Sequence, residues 1–564
     1  MGKRYSRRTT VKSLPDWKNL SLKEQVAQMV VVRASGYLFD HQIQYPAWEA
    51  SAQQLQFWLQ DLGVGGVILL GGSTAELALR SQQLQELAKA PLLIAADIEE
   101  GVGQRFTGAT WFPPPMAVGS LAQQNLAQAQ FYAEQMGAIT AQEALAIGIN
   151  WLLAPVVDVN NNPQNPVINI RSFAETPEIV SQLACAFIRG AQHYQVLTTA
   201  KHFPGHGDTA TDSHLDLPVI LHSESRLQQV ELPPFRAAIA SGVDAIMSAH
   251  LLVRAWDNQH PATLSKQILT NLLRNSLEFE GLIVTDALVM GAITNSYGAE
   301  FASVMAVEAG ADILLMPTDP ESTIEAVCEA VLAGRLSRER IQASLERIWK
   351  AKAKVIIAQQ EQRKRLEASE HQYSVTNSLS QLAQPVALAT AASILQDSQL
   401  SGGALPLPPE SINSQRQLRN LIVVDDALVC DFLRRNSPAL LLPSQKGYEL
   451  QLIDCHTPTP LAAIDDAVGT RITLLQLFIR GNPFRGSAGF TPIAENLLKR
   501  LLKKEILQAI IIYGSPYALK RFLPELPPET PYVFSYGQMP KAQEVALEVL
   551  FSPSTSVNTF TYFL

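Results

Sequence analysis

Cysteine is scarce in this chain of 564 residues, which has four, spread widely along the sequence. They are Cys185, Cys328, Cys430 and Cys455. Their spacing fits neither a zinc-binding pattern nor a disulfide framework. We therefore expect buried free thiols in a reducing compartment, which favours a cytoplasmic protein.

Charge is sparse as well. Asp, Glu, Lys and Arg together make up 17% of the residues, and the formal net charge is -8. A protein that binds nucleic acid needs a basic surface to neutralise phosphates, so this composition argues against a nucleic-acid partner.

Long apolar runs are missing too. A membrane-spanning helix needs about 18 or more consecutive apolar residues, and no segment has them, so we expect no membrane span. The chain starts with four basic residues, Lys3, Arg4, Arg7 and Arg8, but no apolar stretch follows them. The sequence therefore predicts no secretory signal.

Short apolar runs are what the chain has instead. Eight of them alternate with stretches of helical periodicity over about 350 residues. They are Met29–Val32, Val64–Leu70, Pro91–Ala96, Ile149–Ala154, Val196–Ala200, Val243–Ser248, Gly281–Thr285 and Ala311–Met316. Continuous apolar strands between helices indicate a parallel sheet covered on both faces. Eight such units predict an α/β fold of the (β/α)₈ barrel type.

The chain is too long for a single core, so we expect a second domain. We predict an N-terminal extension at 1–19, a catalytic barrel at 20–366, a linker region at 367–418 and a smaller C-terminal α/β domain at 419–564. Apolar runs predict strands in this second domain at Leu421–Val424, Leu440–Leu442, Ile472–Phe478, Ala509–Tyr513 and Tyr532–Phe534. No chemical motif stands out in it.

Ionisable side chains follow four of the eight apolar runs. Asp97 ends the third run, Lys201 and His202 end the fifth, His250 lies near the end of the sixth, and Asp286 ends the seventh. Catalytic groups of such barrels lie at the carboxyl ends of the strands, so this placement predicts an active site there.

The loop after the fifth run concentrates the chemistry. Asp212 and His214 are two residues apart, so the carboxylate can accept a hydrogen bond from the imidazole and fix its tautomer. The imidazole can then carry a proton near neutral pH. Asp208 and His206 are the competing candidates for these two roles. Asp286 is predicted as a nucleophile or acid/base group, with helix capping as the alternative.

A metal site is the rival interpretation of the same loop. Its candidate ligands are His202, His206, Asp208, Asp212, His214 and His250. Histidine and carboxylate ligands suit zinc or iron. However, Pro204, Gly205 and Gly207 disfavour the helix that would bring His202 and His206 together, so we expect no metal and no other cofactor.

These motifs resemble a known family. The segment Lys201-His202-Phe203-Pro204-Gly205-His206-Gly207, followed by Asp212-Ser213-His214, is similar to the signature of the β-N-acetylglucosaminidase branch of glycoside hydrolase family 3. Further blocks follow the family's order over roughly residues 20–355. They are Asp97 to Phe106, Asn150 to Asn160, Asn169 to Phe173, Ser248 to His250, and Val284 to Asp286.

The resemblance implies a role for each matching residue. Asp286 would be the nucleophile, and His214, assisted by Asp212, would be the acid/base group. The substrate-binding residues would be Asp97, Arg105, Arg171, Lys201 and His202. Arg171 and Asp158 are also candidates for structural ion pairs. Gly205 and Gly207 would let the loop move.

Two positions depart from the family pattern. Ala287 stands where many members have a second Asp after the nucleophile. Glu100-Gly101-Val102 stands where Gly-Gly-Arg is common. Neither departure removes a residue that the mechanism requires.

The resemblance implies a retaining exo-β-N-acetylglucosaminidase that acts on a small carbohydrate, with peptidoglycan fragments as the expected source. A broader β-glycosidase or a phosphorylase of the same family is the alternative. Two hypotheses of other classes are a metal-dependent hydrolase using residues 202–214 and a non-catalytic sugar-binding protein.

Overall fold

The computed structural model describes residues 13–43, 45–46, 48–368, 379–407, 417–428, 430, 432–462, 471–480 and 491–552. Eight parallel strands form the first domain. They are β1 Val30–Ser35, β2 Gly66–Leu70, β3 Leu93–Ala96, β4 Trp151–Leu152, β5 Thr199–Phe203, β6 Ala245–Ser248, β7 Leu282–Val284 and β8 Leu314–Leu315. Each overlaps one of the predicted runs.

The strands close into a barrel in chain order. One ladder runs β8-β1-β2-β3-β4 and a second runs β5-β6-β7. Single bridges join the two ladders, between Trp151 and Leu197 and between Val284 and Ile313. The predicted (β/α)₈ barrel is confirmed.

Helices cover the outside of the barrel. They are Leu22–Ala27, Ala52–Gln56 continuing as Phe57–Leu62, Thr74–Leu87, Pro115–Ala122, Leu126–Ala146, Pro177–Gln192, Glu224–Gln229, Leu232–Ala240, Gln267–Ser276, Gly291–Tyr297, Ala299–Ala309, Pro320–Leu332 and Arg338–Ala368. A short parallel pair, Val219–Ile220 with Leu252–Val253, lies outside the barrel strands.

The second domain has one mixed sheet of six strands. They are β9 Leu400–Gly402, β10 Leu418–Val423, β11 Tyr448–Ile453, β12 Ile472–Ile479, β13 Leu507–Gly514 and β14 Tyr532–Ser535. The strand order is β9-β14-β13-β12-β10-β11, and β9 alone runs antiparallel. The helices are Pro385–Asp397, Pro438–Gln445, Thr491–Lys503, Pro516–Phe522 and Pro540–Phe551. The predicted C-terminal α/β fold is confirmed, but its sheet includes β9, which lies within the predicted linker region 367–418, as does the helix Pro385–Asp397.

One strand prediction for this domain was wrong. Leu440–Leu442 is not a strand but lies in the helix Pro438–Gln445, whose Pro438 occupies the first helical turn. A short apolar run does not by itself distinguish a strand from a helix, and the proline was the missed helix-start signal. The strand β11 was not predicted, because it is an edge strand whose middle residues Glu449 and Leu450 are exposed.

None of the four cysteines, all of which lie among the described residues, forms a disulfide, as expected, but none of them is buried. Cys185, Cys328 and Cys430 are partly exposed, and Cys455 is exposed. In the part of the chain that the structure describes, no helix is both long and apolar enough to cross a membrane.

A buried lysine makes the stability of the barrel depend on pH. Lys352 is buried in the helix Arg338–Ala368, and its Nζ donates to Oε1 of Gln28 at 2.6 Å. Burial lowers the pKa of Lys352 to about 7. The unfolded chain keeps a lysine pKa of about 10.4, so between these values the unfolded state binds more protons and stability rises with pH.

We predict that the free energy of unfolding of the wild type rises by about 3 kcal/mol relative to Lys352→Met between pH 7 and pH 10. Denaturant unfolding at each pH measures this difference. The exposed Lys350, on the same helix, provides the matched control Lys350→Met, which should give a constant offset. A constant offset for Lys352→Met would contradict the prediction.

Candidate active site

The predicted ionisable residues lie together at the carboxyl edge of the barrel. Asp97 follows β3, Lys201 and His202 lie in β5, and Asp286 follows β7. Parallel strands of a barrel present these ends at one rim, which is where the loops of such barrels bind ligands. The pattern of strand-end residues thus predicted the rim correctly.

A buried ion-pair network links three of the predicted binding residues. Nζ of Lys201 lies 2.7 Å from Oδ1 of Asp97 and 2.6 Å from Oε1 of Glu99. Glu99 also accepts two hydrogen bonds from Arg171, at 2.9 Å from Nε and 2.6 Å from Nη2. Lys201 is buried, whereas the side chain of Asp97 is 28% exposed. Asp97 and Arg171 are therefore the partly exposed members of the network at the rim. The buried Glu99 and Lys201 bind them and fix their positions.

The charges in this network fix its protonation states. Burial opposes the ionisation of Glu99, but the charges of Arg171 and Lys201 outweigh it and hold the pKa of Glu99 well below its usual range. Burial likewise opposes the charge on Lys201, but Asp97 and Glu99 raise its pKa. Glu99, Arg171 and Lys201 are therefore all ionised at neutral pH.

Asp158 organises the loop after β5. It accepts hydrogen bonds from the backbone nitrogen of His202 at 3.2 Å and from that of His206 at 2.7 Å. Nδ1 of His202 lies 2.8 Å from Oδ2 of Asp158. Burial opposes its charge, but His202 and His206 lower the pKa of Asp158. An ionised Asp158 accepts from Nδ1–H of His202, which fixes the orientation of that imidazole.

His206 is a structural residue of the loop. Its Nδ1 lies 2.9 Å from Oγ1 of Thr209 and its Nε2 lies 3.0 Å from Oγ of Ser213. Burial lowers the pKa of His206 to about 4. Since both ring nitrogens have partners and the ring is neutral, His206 does not fit the role of proton carrier.

The metal hypothesis for this loop finds no support in the structure. Asp208 pairs with His222, with 2.7 Å between Oδ2 and Nε2. Among the described residues, the only three ligand atoms from His, Cys, Asp or Glu that come within 4.8 Å of one another belong to Asp426, Cys455 and His456 in the second domain. The histidines and aspartates of 202–214 are instead paired separately.

The two glycines of the loop have steric reasons for being glycine. A Cβ at Gly207 would lie 1.7 Å from the carbonyl oxygen of Val159. Gly205 has φ of 130° and packs against Glu231, a backbone conformation that favours glycine. Close packing therefore accounts for both residues without loop motion.

Asp212 and His214 form the predicted pair. Oδ1 of Asp212 lies 2.9 Å from Nδ1 of His214 and accepts from its backbone nitrogen at 2.9 Å. Asp212 is buried, whereas the side chain of His214 is 17% exposed. The ring of Trp48, from the loop after β1, lies 6.4 Å from the His214 ring. The backbone nitrogen of Gly291 donates to the His214 carbonyl at 3.2 Å, which ties the pair to the segment that follows Asp286.

Asp286 lies among histidines. Burial opposes its ionisation, but His250, His202 and a hydrogen bond from the backbone nitrogen of Ala287 lower the pKa of Asp286. Burial lowers the pKa of His250, which bonds to Oγ1 of Thr263 and to the carbonyl of Ala287. Asp286 is therefore a carboxylate at neutral pH. Ala287 donates a hydrogen bond to Asp286 from its backbone nitrogen. This hydrogen bond does not depend on the side chain at position 287, so it is present although many family members have an aspartate there.

Arg105 lies at the outer part of the rim. Its side chain is exposed, and Nε donates to the carbonyl oxygen of Asp97 at 3.2 Å. It is the one predicted binding residue that joins neither of the two buried networks. The other four are divided between the Lys201–Asp97–Glu99–Arg171 network and the Asp158–His202 pair.

Glu99 is the residue that sequence reasoning missed. It lies two positions after Asp97, on the same side of the strand end, and this spacing was the available signal. Asp158 was considered only as a structural ion-pair residue, yet it holds His202 and the start of the loop after β5.

Comparisons with known proteins identify the family of both domains. A model described as "Glycosyl hydrolase family 3 N terminal domain" matches residues 21–351. A second, described as "Bacterial Glycosyl hydrolase family 3 C-terminal domain", matches residues 411–552.

Two named relatives are similar to about half of this chain. A "Beta-hexosaminidase A" of Pseudoalteromonas piscicida is 37% identical over 323 residues, which cover 52% of this chain and 54% of that protein, so the match spans about half of the relative. A "Beta-hexosaminidase" of Nitrosomonas eutropha is 35% identical over 46% of this chain and 76% of its own length.

A solved structure matches nearly the whole chain. It is a glycoside hydrolase family 3 β-N-acetylglucosaminidase from Paenibacillus sp. str. FPU-7, with 30% identity, a TM-score of 0.75, and coverage of 94% of this chain and 96% of that one. The β-glucoside phosphorylase BglX, at 23% identity and a TM-score of 0.75, shares the fold. The family model over the barrel and the second model over the C-terminal domain lead to one conclusion: the chain belongs to glycoside hydrolase family 3.

Proposed function

We propose that the protein is a retaining exo-β-N-acetylglucosaminidase that removes terminal β-linked N-acetylglucosamine. The observation that carries this proposal is the buried Asp212 holding His214 on a loop tied to the segment after Asp286. The names of the relatives, β-hexosaminidase and β-N-acetylglucosaminidase, support the choice of sugar.

Asp286 would act as the nucleophile. Its lowered pKa keeps the carboxylate ionised. It would attack the anomeric carbon as the glycosidic bond breaks, and a covalent glycosyl-enzyme intermediate would form. Water would then displace Asp286 from the opposite face, so that two inversions give net retention.

His214 would move the proton in both steps. Nδ1–H donates to Asp212, which fixes the tautomer and stabilises the protonated ring. Nε2 would give its proton to the leaving oxygen, and it would later take one from the attacking water. Most retaining glycosidases use a carboxylic acid for this role, and here an imidazole with a buried carboxylate would replace it.

The remaining rim residues would bind the sugar. Asp97 and Arg171, held by Lys201 and Glu99, would contact hydroxyl groups and the N-acetyl group through charge-assisted hydrogen bonds. His202, oriented by Asp158, and Arg105 at the outer rim would add further contacts. Peptidoglycan fragments as the source of the sugar, and a cytoplasmic location, are proposals that rest on the sequence.

The test compares aryl β-N-acetylglucosaminide with aryl β-glucoside, each with and without phosphate, and follows the anomer first formed by NMR. We expect preference for the N-acetylglucosaminide, a β-anomer as first product, and rates independent of phosphate and of a chelator. Formation of a sugar phosphate would favour a phosphorylase, loss of activity with the chelator would favour a metal hydrolase, and binding without turnover would favour a sugar-binding protein.

A further inference from the structure

Glu100 is a fully buried carboxylate beside the sugar-binding segment. Its side chain has no exposed surface. Both of its oxygens accept hydrogen bonds from Arg480, one of them at 3.2 Å from Nη1, and Nε1 of Trp111 donates to it at 3.1 Å. A carboxylate buried in this way is tolerated only when it is paired. Glu100, which stands where the family commonly has glycine, thus has its charge paired by Arg480.

Arg480 comes from the other domain. It directly follows β12, at the carboxyl end of that strand, where β12 lies beside β10. The strand order reverses between these two strands, and open α/β sheets bind their ligands at such a position. In this chain Arg480, at this position, contacts the barrel and binds the carboxylate of Glu100.

Trp111 contacts both Glu100 and the second domain, and the pair it adjoins has a fully buried Glu100 and an Arg480 side chain that is 25% exposed. The ring of Trp111 packs against Leu395, Met539 and Ala542 of the second domain, while its Nε1 bonds to Glu100. An ion pair that is shielded from water interacts more strongly than an exposed one. The contact between the domains therefore includes a largely buried ion pair next to residues 97–105.

The backbone around Glu100 transmits this restraint. Its neighbour Glu99 binds Arg171 and Lys201. The nitrogen of Glu100 donates to Gln104 at 3.0 Å, and its carbonyl accepts from Phe112 at 2.8 Å. Residues 97–105 therefore form one segment, which includes a 3₁₀ helix at Val102–Gln104. In it Glu99 contacts Lys201 and Arg171 of the barrel, and Glu100 contacts Arg480 of the second domain.

We propose that Glu100 and Arg480 are a positioning pair through which the C-terminal domain sets the orientation of residues 97–105, and hence the affinity of the barrel for its sugar. The proposal gives the second domain a role that its own sequence motifs do not reveal, and it rests on the proposed function. The proposal predicts a change in sugar affinity with little change in the rate of the chemical step. The reason is that the pair acts on residues 97–105 and not on Asp286 or His214.

Arg480→Met is the first test. We expect KM for the aryl N-acetylglucosaminide to rise about 10-fold while kcat changes by less than about 3-fold, since lost binding that is equal in ground and transition states raises KM alone. Arg480→Lys should fall between Arg480→Met and wild type, because a lysine cannot bind both oxygens at once.

Lys520→Met is the matched control. Lys520 forms another ion pair between the domains, at 3.7 Å from Glu175, but both side chains are exposed, at 67% and 48%. Exposed pairs contribute little, so KM should not change. An equal rise in KM for this variant would overturn the proposal in favour of a general effect of the domain contact.

A double variant separates positioning from folding. Arg480→Met leaves Glu100 buried and unpaired, so it should also lower the Tm. Glu100→Gln with Arg480→Met removes the unpaired charge and should recover most of the Tm while KM stays high. A double variant with the KM of the wild type would show that the pair stabilises the fold only, and would overturn the proposal.

Hydrogen exchange gives a measurement that needs no turnover. The amides of residues 98–104 should exchange faster in Arg480→Met than in wild type or Lys520→Met, in protein without sugar. This outcome holds even if the wild type fails to cleave the N-acetylglucosaminide, so a failed activity and a failed positioning pair can be distinguished. Unchanged exchange in Arg480→Met would overturn the proposal.

Discussion

Asp286→Asn should reduce kcat/KM for an aryl β-N-acetylglucosaminide by at least about 10³-fold, because removal of a nucleophile removes the whole covalent route. The amide has nearly the shape of the carboxylate and can still accept from the backbone nitrogen of Ala287. Substrate binding should therefore survive the change. Steady-state rates, together with binding of the product sugar by calorimetry, measure the two effects separately.

Asp216→Asn is the control for the nucleophile. Asp216 is an exposed aspartate in the segment that follows His214, and the same chemical change there should leave the rate within about 2-fold, as surface substitutions generally have small effects. Asp286→Gly with added azide offers a second check. An α-glycosyl azide is the expected product, since azide would occupy the place of the missing carboxylate. Full turnover by Asp286→Asn would rule out this residue as nucleophile.

His214→Ala should discriminate between leaving groups. For a poor leaving group, such as an alkyl alcohol or a second sugar, kcat/KM should fall by about 10²–10⁴-fold, which is the usual contribution of general acid catalysis. For dinitrophenol, which departs without protonation, the loss should stay below about 10-fold. A series of aryl glycosides with increasing leaving-group pKa measures this as a steeper dependence on that pKa.

His222→Ala is the matched control for His214. His222 also pairs with an aspartate near this loop, at 2.7 Å from Asp208, and its removal should leave the leaving-group dependence unchanged. Asp212→Asn should act in the direction of His214→Ala but more weakly, because the imidazole stays while its tautomer and charge lose their support. Equal losses for good and poor leaving groups in His214→Ala would make this histidine structural.

The barrel could be predicted from the sequence because its strands are buried on both faces. Such strands are continuous apolar runs, and all eight were visible as runs such as Val64–Leu70 and Gly281–Thr285. In the second domain the same logic worked for the central strands β12 and β13 and failed for β11, an edge strand with exposed residues in its middle. A local apolar run therefore predicts a strand only where both faces of that strand are buried.

The sequence predicted which residues lie at the candidate site, but it did not predict most of the contacts between them. The pair Asp212–His214 spans two positions, and a spacing of that length can be interpreted directly. Glu99 bonds to Arg171 across 72 positions, and Glu100 bonds to Arg480 across 380. Nothing near either glutamate in the sequence indicates its partner, since the barrel and the domain contact bring them together. The sequence therefore predicted the candidate catalytic residues but not the residues, such as Glu99, that hold the site together.

The buried Glu100 also couples the barrel to the presence of the second domain. A glutamate at this position is costly in a barrel without its neighbour, because the carboxylate would lose Arg480, and Trp111 would lose the apolar surface it packs against. A glycine at this position, by contrast, would suit a barrel with or without a second domain. The glutamate therefore makes this barrel depend on its second domain in a way that a glycine would not.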